Sequence, residues 1–272
     1  MEHNIISLGA GTQSTDLLLR GLEGEFEEVP SHAIFSDTGN EPKGVYTYLE
    51  WLIKFVDKEY KFNIDIVSAG NIYQDAFAYL EGTRKRYEGV PYYTRNPKTG
   101  KKGILRRQCT GDYKIRPVRR HIRKVLPEAK KVSLWLGISY DEIQRMKQAN
   151  VKWITHRFPL IEKKIKRINC IQNFKAHGLP VPVRSSCVVC PYHSDKYWIW
   201  IYENERDSFD AAVMLDEAIR SYPSINDECY LHRSCRPLKE VIVDILKGKE
   251  LASTQLNIFP ELIEECSGVC GI

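Results

Sequence analysis

The stretch Asn4-Ile5-Ile6-Ser7-Leu8-Gly9-Ala10-Gly11-Thr12-Gln13-Ser14-Thr15 runs from a short apolar segment into a glycine-containing turn. Asp16-Leu17-Leu18-Leu19-Arg20 follows with helical character. The local plan is strand, turn, helix. Such a turn aims backbone N–H groups and a helix N-terminus at one spot, and that spot attracts phosphate. Gly9 and Gly11 let the backbone approach an anion with no Cβ in the way, and Ser14 and Thr15 add hydroxyl donors. A tight turn with ordinary helix capping is the competing reading, because an isolated Gly-x-Gly is a weak signal.

The pattern continues outward from this stretch. Val29 to Phe35 ends in the apolar run Ala33-Ile34-Phe35 and reads as a second strand, followed by Ser36-Asp37-Thr38-Gly39. Lys43 to Val56 carries Val45, Leu49, Leu52, Ile53 and Val56 at helical spacing. Phe62 to Val67 reads as a third strand and Asn71 to Leu80 as a helix. This order predicts a doubly wound, mostly parallel α/β sheet, in which ligands sit at the carboxyl ends of the strands. Ser7–Thr15 and Asp37–Gly39 both fall at such ends.

Arg84 to Arg107 is polar and basic, with Pro91, Pro97, Gly100 and Gly103, and reads mostly as loop. Tyr113 to Leu126 reads as a basic helix, Val132 to Ile138 as a buried strand, and Asp141 to Met146 as the start of another helix. Beyond about Arg157 the βα rhythm fails. A short helix over Ile168 to His177, a proline-containing connector, a cysteine knuckle and a largely helical Trp198 to Arg220 follow. These features divide the chain into an α/β domain over 1–160 and a smaller, mainly helical, cysteine-containing region over 161–272.

The chain has 272 residues, 43% of them hydrophobic, enough for a real core. Its 40 basic and 35 acidic residues leave a net charge of +5, too mild an excess to imply nucleic acid by itself. No apolar run is long enough for a membrane helix, and the N-terminus lacks a signal-peptide layout, so a cytoplasmic protein is expected. In that reducing setting eight cysteines argue for metal or redox chemistry before disulfides.

Three groups of motifs together resemble the adenine nucleotide alpha hydrolase-like superfamily, which holds the N-type ATP pyrophosphatases and the phosphoadenosine phosphosulfate (PAPS) reductases. They are Ser7–Thr15 with Phe35-Ser36-Asp37-Thr38-Gly39-Asn40-Glu41, then Gly137-Ile138-Ser139, and then Arg107-Gln108-Cys109-Thr110 with Lys114-Ile-Arg-Pro117 and Ser186-Cys187-Val-Val-Cys190-Pro191. The resemblance runs over most of the chain and is greatest to the reductase-like subgroup that includes sulfurtransferases acting on DNA or tRNA. It implies a HUP-like sheet and attack at the α-phosphate of ATP with pyrophosphate release. One departure stands out: the family loop Ser-Gly-Gly-x-Asp-Ser, aligned on Ser14, puts Gln13 where the acid belongs, so the loop lacks the carboxylate expected to handle Mg²⁺ and Asp37 is the candidate for the remaining acidic group on that side.

On this basis Ser7, Gly9, Gly11, Gln13, Ser14 and Thr15 would hold phosphates, and Asp37 and Thr38 would contact ribose, adenine or a metal. Gly137 would let a base or ribose lie on the backbone, and Arg107, Lys114 and Arg145 are the candidate cations, with a solvated basic face as the alternative. Cys187-x-x-Cys190-Pro191 has knuckle spacing that lets two thiolates reach one metal. Cys109 and Cys170 would complete a Cys₄ site holding a [4Fe–4S] cluster, as the resemblance implies, or a structural zinc. Cys266 and Cys270 are similar to the redox tail of sulfonucleotide reductases, with Cys270 as a candidate nucleophile and idle thiols as the alternative.

Arg84–Arg86, Lys101–Lys102, Arg106–Arg107 and Arg116–Lys124 interleave with Tyr87, Tyr92 and Tyr93, a pattern suited to a nucleic-acid strand or to a solvated face. The leading expectation is an ATP-dependent sulfurtransferase that adenylylates a tRNA or DNA acceptor and inserts sulfur with an iron–sulfur cluster. Its sulfur donor would be a partner such as a cysteine desulfurase, and the oligomeric state stays open. The alternatives are a PAPS reductase and a non-catalytic, zinc-stapled module that binds nucleotide and nucleic acid.

Overall fold

The structure, a computed structural model, describes residues 3–87, 89–223 and 225–253, with side chains through residue 248. Cys266 and Cys270 lie outside the described residues. Among the strands are β1 (His3–Leu8), β2 (His32–Asp37), β3 (Ile64–Ser68), β4 (Tyr93–Arg95), β5 (Lys102–Ile104), β6 (Val132–Leu136), β7 (Ile154–Arg157) and β8 (Glu228–Tyr230). The helices are α1 (Thr12–Leu22), α2 (Lys43–Tyr60), α3 (Ile72–Leu80), α4 (Arg116–Val125), α5 (Pro159–Glu162), α6 (Arg167–Ala176), α7 (Asp195–Asn204), α8 (Arg206–Ala218) and α9 (Leu238–Ser253). No helix among the described residues is long and apolar enough to cross a membrane.

The chain forms two compact units that interleave, where the sequence reading places a single cut at 160. Residues 3–69 and 110–185 make the first, and 70–109 with the described residues from 186 onward make the second. The first unit is the expected doubly wound α/β sheet. Its five strands run in the order β3-β2-β1-β6-β7, all parallel. β1 lies at the centre because its residues are apolar on both faces, as a strand covered by helices on both sides requires. The order reverses at β1, so its carboxyl end is the switch point where ligands sit in such sheets.

One face of the sheet packs Leu17, Leu18 and Leu19 of α1, Val45, Leu49, Leu52 and Val56 of α2, and Phe174 of α6. Trp135 of β6 is central here, edge-on to Phe26 with ring centroids 5.6 Å apart. The other face packs Val118 and Ile122 of α4 with Ile138 and Phe158. α1 and α6 are also joined by charge. Asp16, 0% exposed, accepts from Arg20 Nε at 2.8 Å and from Asn173 Nδ2 at 2.7 Å.

Several elements differ from the sequence reading. β7 closes one edge of the sheet, although its four residues, Ile-Thr-His-Arg, carry only one apolar side chain. The basic helix begins as a π-helical turn over Thr110–Ile115 before α4, and Tyr140–Arg145 is a 3-10 turn. In the second unit, part of the predicted loop is the hairpin β4–β5, paired on its other side with β8. Asn96 makes its turn, accepting from the Lys98 and Thr99 amides, and Gly100 supplies a φ of 71°. The predicted helix over 198–220 is two helices, broken at Glu205 with φ −137° and ψ 62°.

Tyr87 and Tyr92, expected to stack on bases, pack instead with Tyr79 and Tyr222 inside the second unit. There too His232 is buried, with Nδ1 accepting from the Ser234 amide at 3.1 Å and hydroxyl at 2.8 Å. This leaves the proton on Nε2, which donates to Asp195 at 3.1 Å.

Two outcomes are expected. Asp16→Ala leaves Arg20 and Asn173 without their shared carboxylate and should lower unfolding stability by about 3 kcal/mol in urea titrations. Burial depresses the His232 pKa below its ordinary 6.5, with Asp195 opposing. The unfolded chain therefore binds a proton below about pH 6.5 that the folded chain refuses. Stability should be intact above that pH and fall as pH drops through it, with a shallower fall in His232→Gln.

Candidate functional site

The turn after β1 has the geometry of an anion nest. Ala10 adopts φ 53°, a left-handed conformation that is costly for a residue with a Cβ. As a result the amides of Gly9 and Gly11 converge on one atom, Ser14 Oγ, at 3.1 and 3.3 Å. Two N–H groups aimed at one oxygen are what a phosphate oxygen needs, and the N-terminus of α1 adds its partial positive charge. The first turn of α1 carries no acidic side chain to oppose an anion.

The loop is held from below by β6. A Cβ added at Gly137 would lie 2.6 Å from Ser14 Cα and 2.7 Å from Ser14 N. In the direction a side chain would take, the space beside Gly137 is filled by the loop backbone. Ser7 lies within β1, paired to both neighbouring strands, and Thr15 is 0% exposed on the core side. Of the predicted phosphate ligands, Ser7, Gly9, Gly11, Gln13 and Ser14 have part of their surface open, and Thr15 does not.

Two carboxylates that the sequence reading did not select complete the surroundings. Glu142, 7% exposed, accepts from Gln13 Nε2 at 3.1 Å and from Arg145 Nη1 at 2.6 Å. Gln13 is thus a donor that brings an acid to the loop from elsewhere. Glu41 is buried and accepts from Thr38 Oγ1 at 3.2 Å, Lys114 Nζ at 3.4 Å and Ser185 Oγ at 3.4 Å. Asp37 holds its own turn, accepting from the Gly39 amide and the Tyr46 hydroxyl, both at 2.8 Å. Burial foremost, with Asp37 adding to it, pushes the Tyr46 phenol well above its ordinary pKa, so Tyr46 stays protonated as this donor. Sequence offered one signal for Glu41, its place in the Phe35–Glu41 motif, and none for Glu142 beyond its position after β6.

Glu41 and Glu142 each face a cation, Asp37 accepts both of its bonds on Oδ1, and Gln13 offers an amide. Among the described residues no three His, Cys, Asp or Glu groups gather to hold a metal ion.

Of the proposed Cys₄ set, Cys170 belongs to the first unit's core, 0% exposed, with its thiol donating to the Lys166 carbonyl at 3.5 Å. Burial raises its pKa far above the ordinary thiol value. The other three cysteines lie in the second unit. Cys187 and Cys190 flank a tight turn closed by the Cys190 amide on the Cys187 carbonyl at 3.0 Å. His193, unremarked in sequence, braces that turn through Nε2, which donates to the Cys187 and Val188 carbonyls at 2.9 and 3.1 Å. Cys109 is held where its amide and that of Gln108 both donate to the Gly89 carbonyl. Arg107 belongs to this unit as well, its guanidinium 5.6 Å from the Tyr192 ring centroid.

The first unit is therefore a parallel α/β sheet with a turn at its switch point in which two amides converge on Ser14 Oγ. No family model and no curated protein matches the chain. Among solved structures it is similar to the U34-tRNA thiolase NcsA from Methanococcus maripaludis with its [4Fe–4S] cluster, at a TM-score of 0.42 and 15% identity. That match covers 100% of this chain and 80% of the other.

Gly137→Ala tests the support under the loop. The added methyl meets backbone, which cannot rotate away, so the variant should lose about 1–3 kcal/mol of stability. It should also lose nucleotide binding by equilibrium titration, whereas Gly111→Ala, which meets nothing within 4 Å, should keep both.

Proposed function

We propose that the chain is a nucleotide-dependent enzyme that works at the α-phosphate of ATP and belongs functionally with the sulfurtransferases. The observation that carries the nucleotide part is the convergence of the Gly9 and Gly11 amides at the carboxyl end of the central strand. In this reading an acceptor oxygen attacks the α-phosphorus, the bond to the β-phosphate oxygen breaks, and pyrophosphate leaves with that electron pair. Lys114 and Arg145 balance the charge that builds on the leaving oxygens. A sulfur nucleophile then displaces AMP from the adenylylated acceptor.

Cys109, Cys187 and Cys190 are the thiols of the second unit nearest in character to that sulfur chemistry, through their knuckle turn and partial exposure. With Cys170 in the core of the first unit, Cys109, Cys187 and Cys190 are the residues that would hold an iron–sulfur cluster or a zinc ion, and no step is assigned to either. A tRNA or DNA acceptor is supported by the exposed Arg120, Lys124, Lys130 and Lys131 on and after α4. Arg123 lies 3.8 Å from the Trp153 ring centroid on the same unit. Other cations of the basic stretch are already engaged, Arg84 with Asp75, Arg95 with Glu228 and Arg116 with Asp112. The cytoplasmic setting and a sulfur-donor partner remain parts of the proposal. A PAPS reductase is the second reading, favoured by Gln13 in place of the loop acid, since reduction of a sulfonucleotide releases no pyrophosphate.

Pyrophosphate release from ATP on adding tRNA or single-stranded DNA is the deciding measurement. Lys114→Ala should slow it by about a hundredfold with the fold intact. Sulfite release from PAPS with no pyrophosphate from ATP would select the reductase instead. Absence of both products, with nucleic-acid binding retained, would leave the non-catalytic module.

A further inference from the structure

α4 has two sides of opposite character. Val118 and Ile122 face the core, while Arg116, Arg120 and Lys124, spaced four apart, stand exposed along the outer side. Two neighbouring segments are tied to this helix. Arg119 Nη2 donates to Asn150 Oδ1 at 2.8 Å, and the Arg123 guanidinium lies 3.8 Å from the Trp153 ring centroid. Arg123 Nη1 also donates to the Ala129 carbonyl at 2.9 Å, and the Val132 amide donates to the Trp153 carbonyl at 2.9 Å, which sets Lys131 beside Lys152. α4, residues 129–131 and residues 147–153 therefore make one surface of the first unit.

That surface carries charge with nothing to balance it. Arg120, Lys124, Lys130, Lys131, Lys147 and Lys152 are exposed, and among the described residues their side chains have no hydrogen bond or ion pair. Between Arg116 and Lys131 the one acid is Glu128. Like charges four apart on a helix repel, as Arg120 and Lys124 do, and a polyanion laid along them removes that cost. The groups that could hold bases are engaged. Trp153 packs on the core and carries Arg123 on its ring, and Asn150 accepts from Arg119. Gln148 spends both ends of its amide on the His156 backbone, donating to the carbonyl at 3.4 Å and accepting from the N–H at 3.3 Å. Single-strand binders stack successive bases on open aromatic faces. Cations without such faces suit a duplex, whose bases are turned inward and whose phosphates line the outside.

We infer that this surface is a platform for double-helical nucleic acid, held through its phosphates and not through its bases. The inference rests on the nucleic-acid acceptor proposed above and deepens it, naming the form the acceptor takes where the protein grips it.

Fluorescence anisotropy of the full chain with a labelled RNA duplex, the DNA duplex of the same sequence and each single strand, over a range of salt, tests it. At least one duplex should bind about tenfold more tightly than its single strands, and scrambling its sequence should leave affinity within about twofold. The slope of log affinity on log salt should shrink by about 0.9 in Arg120→Gln, and by a similar step in Lys124→Gln, one phosphate contact each. Lys98→Gln, at an exposed position of the second unit, should leave the slope unchanged. Thermal unfolding of each variant separates lost contact from lost fold. Single strands bound as tightly as duplexes, or a slope that neither α4 variant moves, would overturn the platform and leave the nucleic-acid acceptor standing. No binding of any nucleic acid would remove the acceptor and the platform together.

Discussion

The first unit depends on a backbone-to-backbone approach. β6 is followed by Gly137, which has no side chain, and the turn after β1 comes to rest against it. Any other residue at 137 would push the turn away from the strand end, and with it the two amides that converge on Ser14 Oγ. The left-handed Ala10 belongs to the same constraint. Its strain is tolerable because packing beneath and the hydrogen bonds to Ser14 leave the turn no relaxed alternative.

Charge around the turn is arranged in pairs. Glu142 links Gln13 to Arg145, and Glu41 links Thr38, Lys114 and Ser185. Each carboxylate gathers donors from segments far apart in sequence and fixes their distance from the turn. Buried acids satisfied in this way resist relocation toward an added metal, because each would leave a cation behind in a partly desolvated place. In this chain they serve to position cations.

The sheet was legible because its evidence is local. Apolar runs, helical spacing and glycine at turns mark each βα unit, and the order of those units implies a parallel sheet. β7 was not legible, since Thr155, His156 and Arg157 gain their strand conformation from pairing with β6. The hairpin of the second unit was hidden for a similar reason: short strands rich in Lys, Arg and Gly look like loop until β8, over a hundred residues later, pairs with β4. At the candidate site the turn was readable and its partners were not. Gly137 was noticed for its lack of a side chain, but the loop backbone beside it was not foreseen. Cys170 fell among cysteines at suggestive spacing, although spacing cannot tell a thiol in a core from a thiol at a surface. Glu142 reaches the turn only through tertiary structure.

The central place of β1 bears on how the protein is made. β1 emerges before β2 and β6, finds β2 soon afterward, and must wait for β6 before its other edge is covered. During that wait the whole segment that belongs to the second unit, 70–109, is synthesised as well. At about 5–20 residues per second the bare edge persists for several seconds, long enough for a strand from another chain to pair there. The interleaving that joins the two units in the finished molecule therefore exposes the nascent one to aggregation, and a chaperone that shields β1 until Val132–Leu136 appears would act on this chain more than on one whose sheet is built from consecutive strands.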